Sequence, residues 1–126
     1  MLLLDSNAFY WLLTEPHRLG PRSKDRISDA AVVYVSAITI LELTIKQLKA
    51  KLPAMDFASA IEKSGLKTLE FDHVAAAGVG QFPSLVDHDP FDRALIAHAI
   101  RHKLDFLTSD RKLLALGQPW IFDSGE

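Results

Sequence analysis

Three short runs constrain the fold of this chain more than any other feature: LLL at Leu2 to Leu4, VVYVS at Val32 to Ser36, and DFLT at Asp105 to Thr108. None alternates polar with apolar residues, so each is suited to burial on both faces, and each gives way to a helical pattern. Strands buried on both faces and joined through helices build a parallel sheet with helices on each side.

The remaining segments fit that plan. The spacing predicts a helix capped by Ser6 or Asn7 and running to about Leu13, and a short helix over Arg22 to Asp29. A further helix covers Ile40 to Lys51, ended by Pro53, and another covers Phe57 to Lys63, stopped by Gly65. Leu66 to Phe71 reads as a strand, followed by a helix capped by Asp72. A helix opened by DPFD reaches about His102, Arg111 to Leu116 forms a short helix ended by Gly117, and Trp120 to Phe122 is a last strand. The expected architecture is a three-layer α/β/α sandwich around a central parallel sheet of about five strands. At 126 residues, the expectation is a single domain over residues 1–126.

Composition narrows the function. Hydrophobic residues make up 48% of the chain and charged residues 24%, which excludes a disordered or low-complexity protein. There is no cysteine, so no disulfide framework, thiol nucleophile or thiolate zinc site is available, and the expected compartment is the reducing cytoplasm. The apolar start MLLLDSNAFYWLL lacks a basic leading region and is broken by Asp5, so it reads as core rather than as a targeting or membrane segment. A formal net charge of -2 lacks the basic footprint of most nucleic-acid binders. Acids gathered at one site would leave room for a basic rim from Arg18, Arg22, Lys24, Arg26, Lys46, Lys49 and Lys51.

Four acids fall where strands finish and helices begin: Asp5 after LLL, Glu42 in the helix after VVYVS, Asp92 in the first turn of the DPFD helix, and Asp110 after FLT. Parallel sheets carry their function at that end, near a topological switch point. Each acid also has a local explanation. Thr39 and Glu42 form a T-x-x-E capping box, Asp92 faces a helix dipole, and Asp5 and Asp110 are potential caps. Together they are harder to explain, because two carboxylates 4 Å apart repel by about 4 kcal/mol at an effective dielectric of 20. Magnesium or manganese removes that penalty and suits oxygen ligands.

Four segments in order, LLLDSNAFYWLL, VSAITILEL, DPFDRALIAHA and FLTSD, resemble the PIN-domain ribonucleases, especially the VapC-type toxins of bacterial toxin–antitoxin pairs. The resemblance covers nearly the whole chain. It implies a metal-dependent endoribonuclease with Asp5, Glu42, Asp92 and Asp110 around one or two Mg2+ or Mn2+ ions, and with Asn7 and Thr108 as polar neighbours. It also implies a homodimer, an RNA substrate, and a cognate antitoxin whose C-terminal segment lies over the active-site groove. Water would attack the phosphodiester phosphorus in line and the 3′ oxygen would leave.

Other signals carry less. Asp89 is read as the helix cap ahead of Pro90, in preference to a ligand. Arg93 is open between holding a phosphate and pairing with a carboxylate of the cluster. His98 and His102 lack the glutamate of a zinc-protease motif and are expected to face solvent or a neighbour. Phe9, Tyr10 and Trp11 read as core or subunit interface, and Lys46 as the i,i+4 partner of Glu42. Two alternatives remain: a phosphoacceptor receiver domain, disfavoured because only one acid follows the first strand and none ends VVYVS, and a PIN-like fold kept only as a binding module.

Overall fold

A computed structural model describes residues 1–126. It has five strands, β1 (Leu2–Leu4), β2 (Val33–Ser36), β3 (Lys67–Leu69), β4 (Asp105–Thr108) and β5 (Ile121–Asp123). The seven α-helices are α1 (Ser6–Thr14), α2 (Pro21–Asp29), α3 (Ala37–Leu48), α4 (Phe57–Lys63), α5 (His73–Ala77), α6 (Pro90–His102) and α7 (Arg111–Leu114). All four strand pairings are parallel, in the order β3-β2-β1-β4-β5. The chain winds outward from β1 to β3 on one side, then crosses to β4 and β5 on the other. The switch point therefore lies between β1 and β4. A receiver domain has the order 2-1-3-4-5, so the topology argues against that alternative.

Period-two alternation along the strands divides the core between the two faces. Leu2, Leu4, Val33, Val35 and Leu107 pack with Phe9 of α1, Leu43 of α3, and Phe57 and Ile61 of α4. Leu3 and Phe106 pack on the opposite face with Leu95, Ile96 and Ala99 of α6 and Leu113 of α7. Phe9 is fully buried, while Tyr10 and Trp11 are half-buried against the same core.

Local differences from the sequence expectation have physical causes. The cap of α1 is Asp5, not Ser6 or Asn7: its Oδ1 accepts the Ala8 N–H at 2.7 Å. β2 runs into α3 with no intervening loop because Ser36 ends the strand and caps the helix, its Oγ accepting the Ile38 N–H at 3.0 Å. The T-x-x-E capping box is therefore not formed, and Thr39 is buried inside the first helical turn. α3 ends at Leu48, ahead of Pro53, where Ala50 takes a left-handed conformation (φ 56°) and the Lys51 N–H closes on the Lys46 carbonyl at 2.9 Å.

Of the two surroundings expected for His98, solvent or a neighbour, the structure gives the second. It is wholly buried, with Nδ1 3.0 Å from Ser36 Oγ and Nε2 2.9 Å from the Glu70 carbonyl. Only an N–H can satisfy a carbonyl, so Nε2 carries the proton and Nδ1 accepts the Ser36 hydroxyl. The neutral ring ties the end of β2 to the segment after β3, and burial lowers its pKa.

Candidate active site

The acids arrive from four places along the chain. Asp5 follows β1 at the switch point and Asp110 follows its neighbour β4. Glu42 sits in the second turn of α3, and Asp92 in the first turn of α6. All four line one groove of about 330 Å³, with Asn7, Ser6, Lys46 and Asp89 on its walls and no apolar residue among its lining.

Asp5 and Asp110 are helix caps and groove residues at once, because a carboxylate has two oxygens. Asp5 gives Oδ1 to the α1 backbone and Oδ2 to the Thr108 hydroxyl at 2.7 Å. Thr108 Oγ1 in turn accepts the Asp110 N–H at 3.1 Å, linking the ends of β1 and β4. Asp110 caps α7 with Oδ1, taking the N–H groups of Lys112 (2.9 Å) and Leu113 (3.1 Å), which leaves Oδ2 turned to the site. Asp89 Oδ1 accepts from Phe91 N at 2.8 Å and Asp92 N at 3.4 Å, as a cap does.

Glu42 is held from both sides. Its Oε1 accepts the Ser6 hydroxyl at 2.7 Å, and its Oε2 lies 3.0 Å from Lys46 Nζ. With the Ser6 proton committed to Glu42, the 3.2 Å contact between Ser6 Oγ and Thr39 Oγ1 has Thr39 as donor. The buried hydroxyls of Ser6 and Thr39 thus orient Glu42 toward the groove.

The electrostatics record the crowding. Burial, the largest influence, pushes the Asp5 carboxyl up to about 6 against hydrogen bonds that favour its charge, and Glu42 adds to the rise. Burial followed by repulsion from Asp110, Asp89, Asp5 and Glu42 pushes Asp92 up to about 7. Such charge, concentrated on oxygen donors, fits a hard divalent cation.

His88 had no part in the sequence reading of the site. Its Nε2 lies 3.1 Å from Asp92 Oδ2 and 3.2 Å from Asp110 Oδ2. The signal was its position just ahead of Asp89-Pro90, but the contact with Asp110 spans 22 residues and has no local signature. Ser6 was missed as a site residue for the same reason, having been read only as a cap.

Arg93 takes neither expected role. Its guanidinium donates to the carbonyls of Val86 (3.1 Å) and Val79 (3.3 Å), bracing the segment before α6. The proposed basic rim is also largely elsewhere: of its seven members only Lys46 lines the groove. Arg22 and Arg26 line a separate cavity of about 420 Å³ with Met1 and Asp105, at the amino ends of the strands. Arg18 stacks on Trp11 and Arg26 on Phe122, at 4.4 and 3.5 Å from the ring centres.

Comparison with known proteins identifies the fold and the family. The family model for the PIN domain matches residues 2–118. The chain is 30% identical over 122 residues to ribonuclease VapC22 of Mycobacterium tuberculosis (strain ATCC 25618 / H37Rv), covering 94% of this chain and 93% of the relative. Among solved structures, a toxin–antitoxin complex from Klebsiella pneumoniae superposes with a TM-score of 0.66 at 18% identity, over 97% of this chain and 96% of the other. VapBC2 from Rickettsia felis, bound to a DNA fragment from its promoter, gives 0.66 at 15% identity, over 97% of both chains.

Proposed function

The chain belongs to the PIN-domain family, and on that premise we propose that it is an endoribonuclease hydrolysing RNA phosphodiester bonds, the toxin of a toxin–antitoxin pair, dependent on Mg2+ or Mn2+. The carrying observation is the convergence of Asp5, Glu42, Asp92 and Asp110 in a groove lined by no apolar residue, beside the switch point. We assign one nuclease domain to residues 1–126, a cytoplasmic location and a homodimer, with a cognate antitoxin as inhibitor. No helix is long and apolar enough to cross a membrane.

Asp5 and Asp92 are the principal ligands in this reading, with Glu42 and Asp110 as further ligands or water-positioning groups. When bound, Mg2+ or Mn2+ supplies Lewis acidity, making a water nucleophilic near neutral pH and screening charge on the phosphate. The chain supplies the preorganisation. Thr108 fixes the Asp5 carboxylate, Ser6 fixes Glu42, and the two caps prevent Asp5 and Asp110 from swinging away. Exposed Asn7 offers an amide to a phosphate oxygen or a base at the groove's edge. Lys46, paired with Glu42, offers a cation to the RNA backbone.

Incubating the purified, partner-free protein with RNA and manganese tests this. The expected result is cleavage leaving 5′-phosphate and 3′-hydroxyl ends, lost with EDTA and in Asp92→Asn. Cleavage that survives both, or products with 3′-phosphate ends, would overturn it. Light scattering at micromolar concentration tests the homodimer.

A further inference from the structure

We propose that His88 is a protein ligand of the metal held by the acidic groove, making the site a mixed nitrogen and oxygen site that takes manganese, or another borderline divalent ion, in preference to magnesium. The inference rests on the metal-dependent reading above and adds a residue to which the four-acid assignment gives no role.

The backbone that carries the ring is fixed on both sides. The His88 N–H bonds the Leu85 carbonyl at 2.9 Å, and the next residue, Asp89, caps α6. Its side chain is only 10% exposed. The imidazole is therefore presented by a fixed turn, as a ligand must be to add affinity.

The spacing suits coordination. His88 Nε2, Asp92 Oδ2 and Asp110 Oδ2 all lie within 4.8 Å of one another, with the nitrogen 3.1 and 3.2 Å from the two oxygens. Two ligands at right angles, each about 2.1 to 2.2 Å from one ion, stand about 3.0 to 3.1 Å apart. Hydrogen bonding alone gives a poorer match, since one Nε2–H would serve two carboxylate oxygens from different elements. An ion shared by all three atoms removes that shortage and offsets the repulsion between Asp92 and Asp110.

Ligand chemistry sets the metal preference. Carboxylate and water suit magnesium, whereas imidazole binds transition ions and adds little for magnesium. Manganese accepts both kinds of donor, so one histidine is enough to shift the balance toward it.

The test uses metal alone, without RNA. Pulsed EPR of the manganese-loaded protein, with natural-abundance and 15N-labelled histidine, is expected to show a directly coordinated nitrogen whose coupling changes with the isotope and disappears in His88→Gln. Calorimetry is expected to show that His88→Gln weakens manganese at least about tenfold and leaves magnesium nearly unchanged. Manganese bound with no nitrogen coupling, and with the same manganese-to-magnesium ratio in His88→Gln, would overturn the role of His88 while leaving the metal-dependent reading intact. Failure of folded wild-type protein to bind manganese would overturn both.

Discussion

At the scale of single residues, the groove opposes stability. Asp92 is held partly buried among four other carboxylates, which together with burial push its pKa up to about 7. It caps nothing, since α6 is capped by Asp89. Asp92→Asn removes a charge the metal-free protein keeps at a cost, and is expected to stabilise that form by about 1 kcal/mol, within the range of relieved active-site strain. The same change is expected to abolish RNA cleavage and manganese binding. Urea unfolding in EDTA, with calorimetry on the same sample, checks both; a destabilised Asp92→Asn would mean that the carboxylate is structural. Asp5→Asn is a less clean probe. Its Oδ1 caps α1 and its Oδ2 accepts from Thr108, so an amide there forces the Thr108 hydroxyl to find another acceptor.

At the scale of elements, Asp89 offers a separation that Asp5 and Asp110 do not. If it acts only through the start of α6, Asp89→Ala is expected to cost about 1 kcal/mol of stability, Asp89→Ser to restore most of it, and neither to change manganese affinity by as much as twofold. Denaturation and calorimetry decide; a manganese affinity that falls in both variants would make Asp89 a ligand. The same distinction explains what the sequence made legible. β1, α4 and β4 were predicted at their observed bounds because uninterrupted apolar runs and a glycine stop are local signals. The start of α3 was misplaced because Ser36 serves strand and helix together, and T-x-x-E has the same form whether or not Thr39 is a cap. The four acids were legible from their positions, Asp5 and Asp110 just after strands and Glu42 and Asp92 near the starts of helices. Their supports were not: Ser6 reaches Glu42 across 36 residues, and His98 reaches Ser36 across 62, pairings that only the sheet order brings about.

At the scale of the whole molecule, the groove and the core respond oppositely to protons. Asp5 at about 6 and Asp92 at about 7 stand above the ordinary 3.8 expected on unfolding. Between about pH 4 and 7 the native state therefore holds more protons than the unfolded chain, and metal-free stability falls as pH rises through that window. For Asp5 alone, nearly fully buried, the loss is on the order of 3 kcal/mol. Buried His98 works the other way. Its lowered pKa means that the unfolded chain binds more protons below about 6.5, so its contribution is lost as pH falls beneath that value. With two raised acids against one histidine, the metal-free protein is expected to be more stable near pH 5 than near pH 7.5. Manganese should oppose this trend, because it competes with the protons on Asp5 and Asp92 and binds more tightly as they ionise. At a hundred times its dissociation constant it adds about 2.7 kcal/mol to stability. Across pH 5, 6 and 7.5, melting temperatures are expected to fall with rising pH less steeply in manganese than in EDTA. Parallel slopes would mean that the buried carboxylates hold no metal, and that their raised pKa values reflect crowding around helix caps alone.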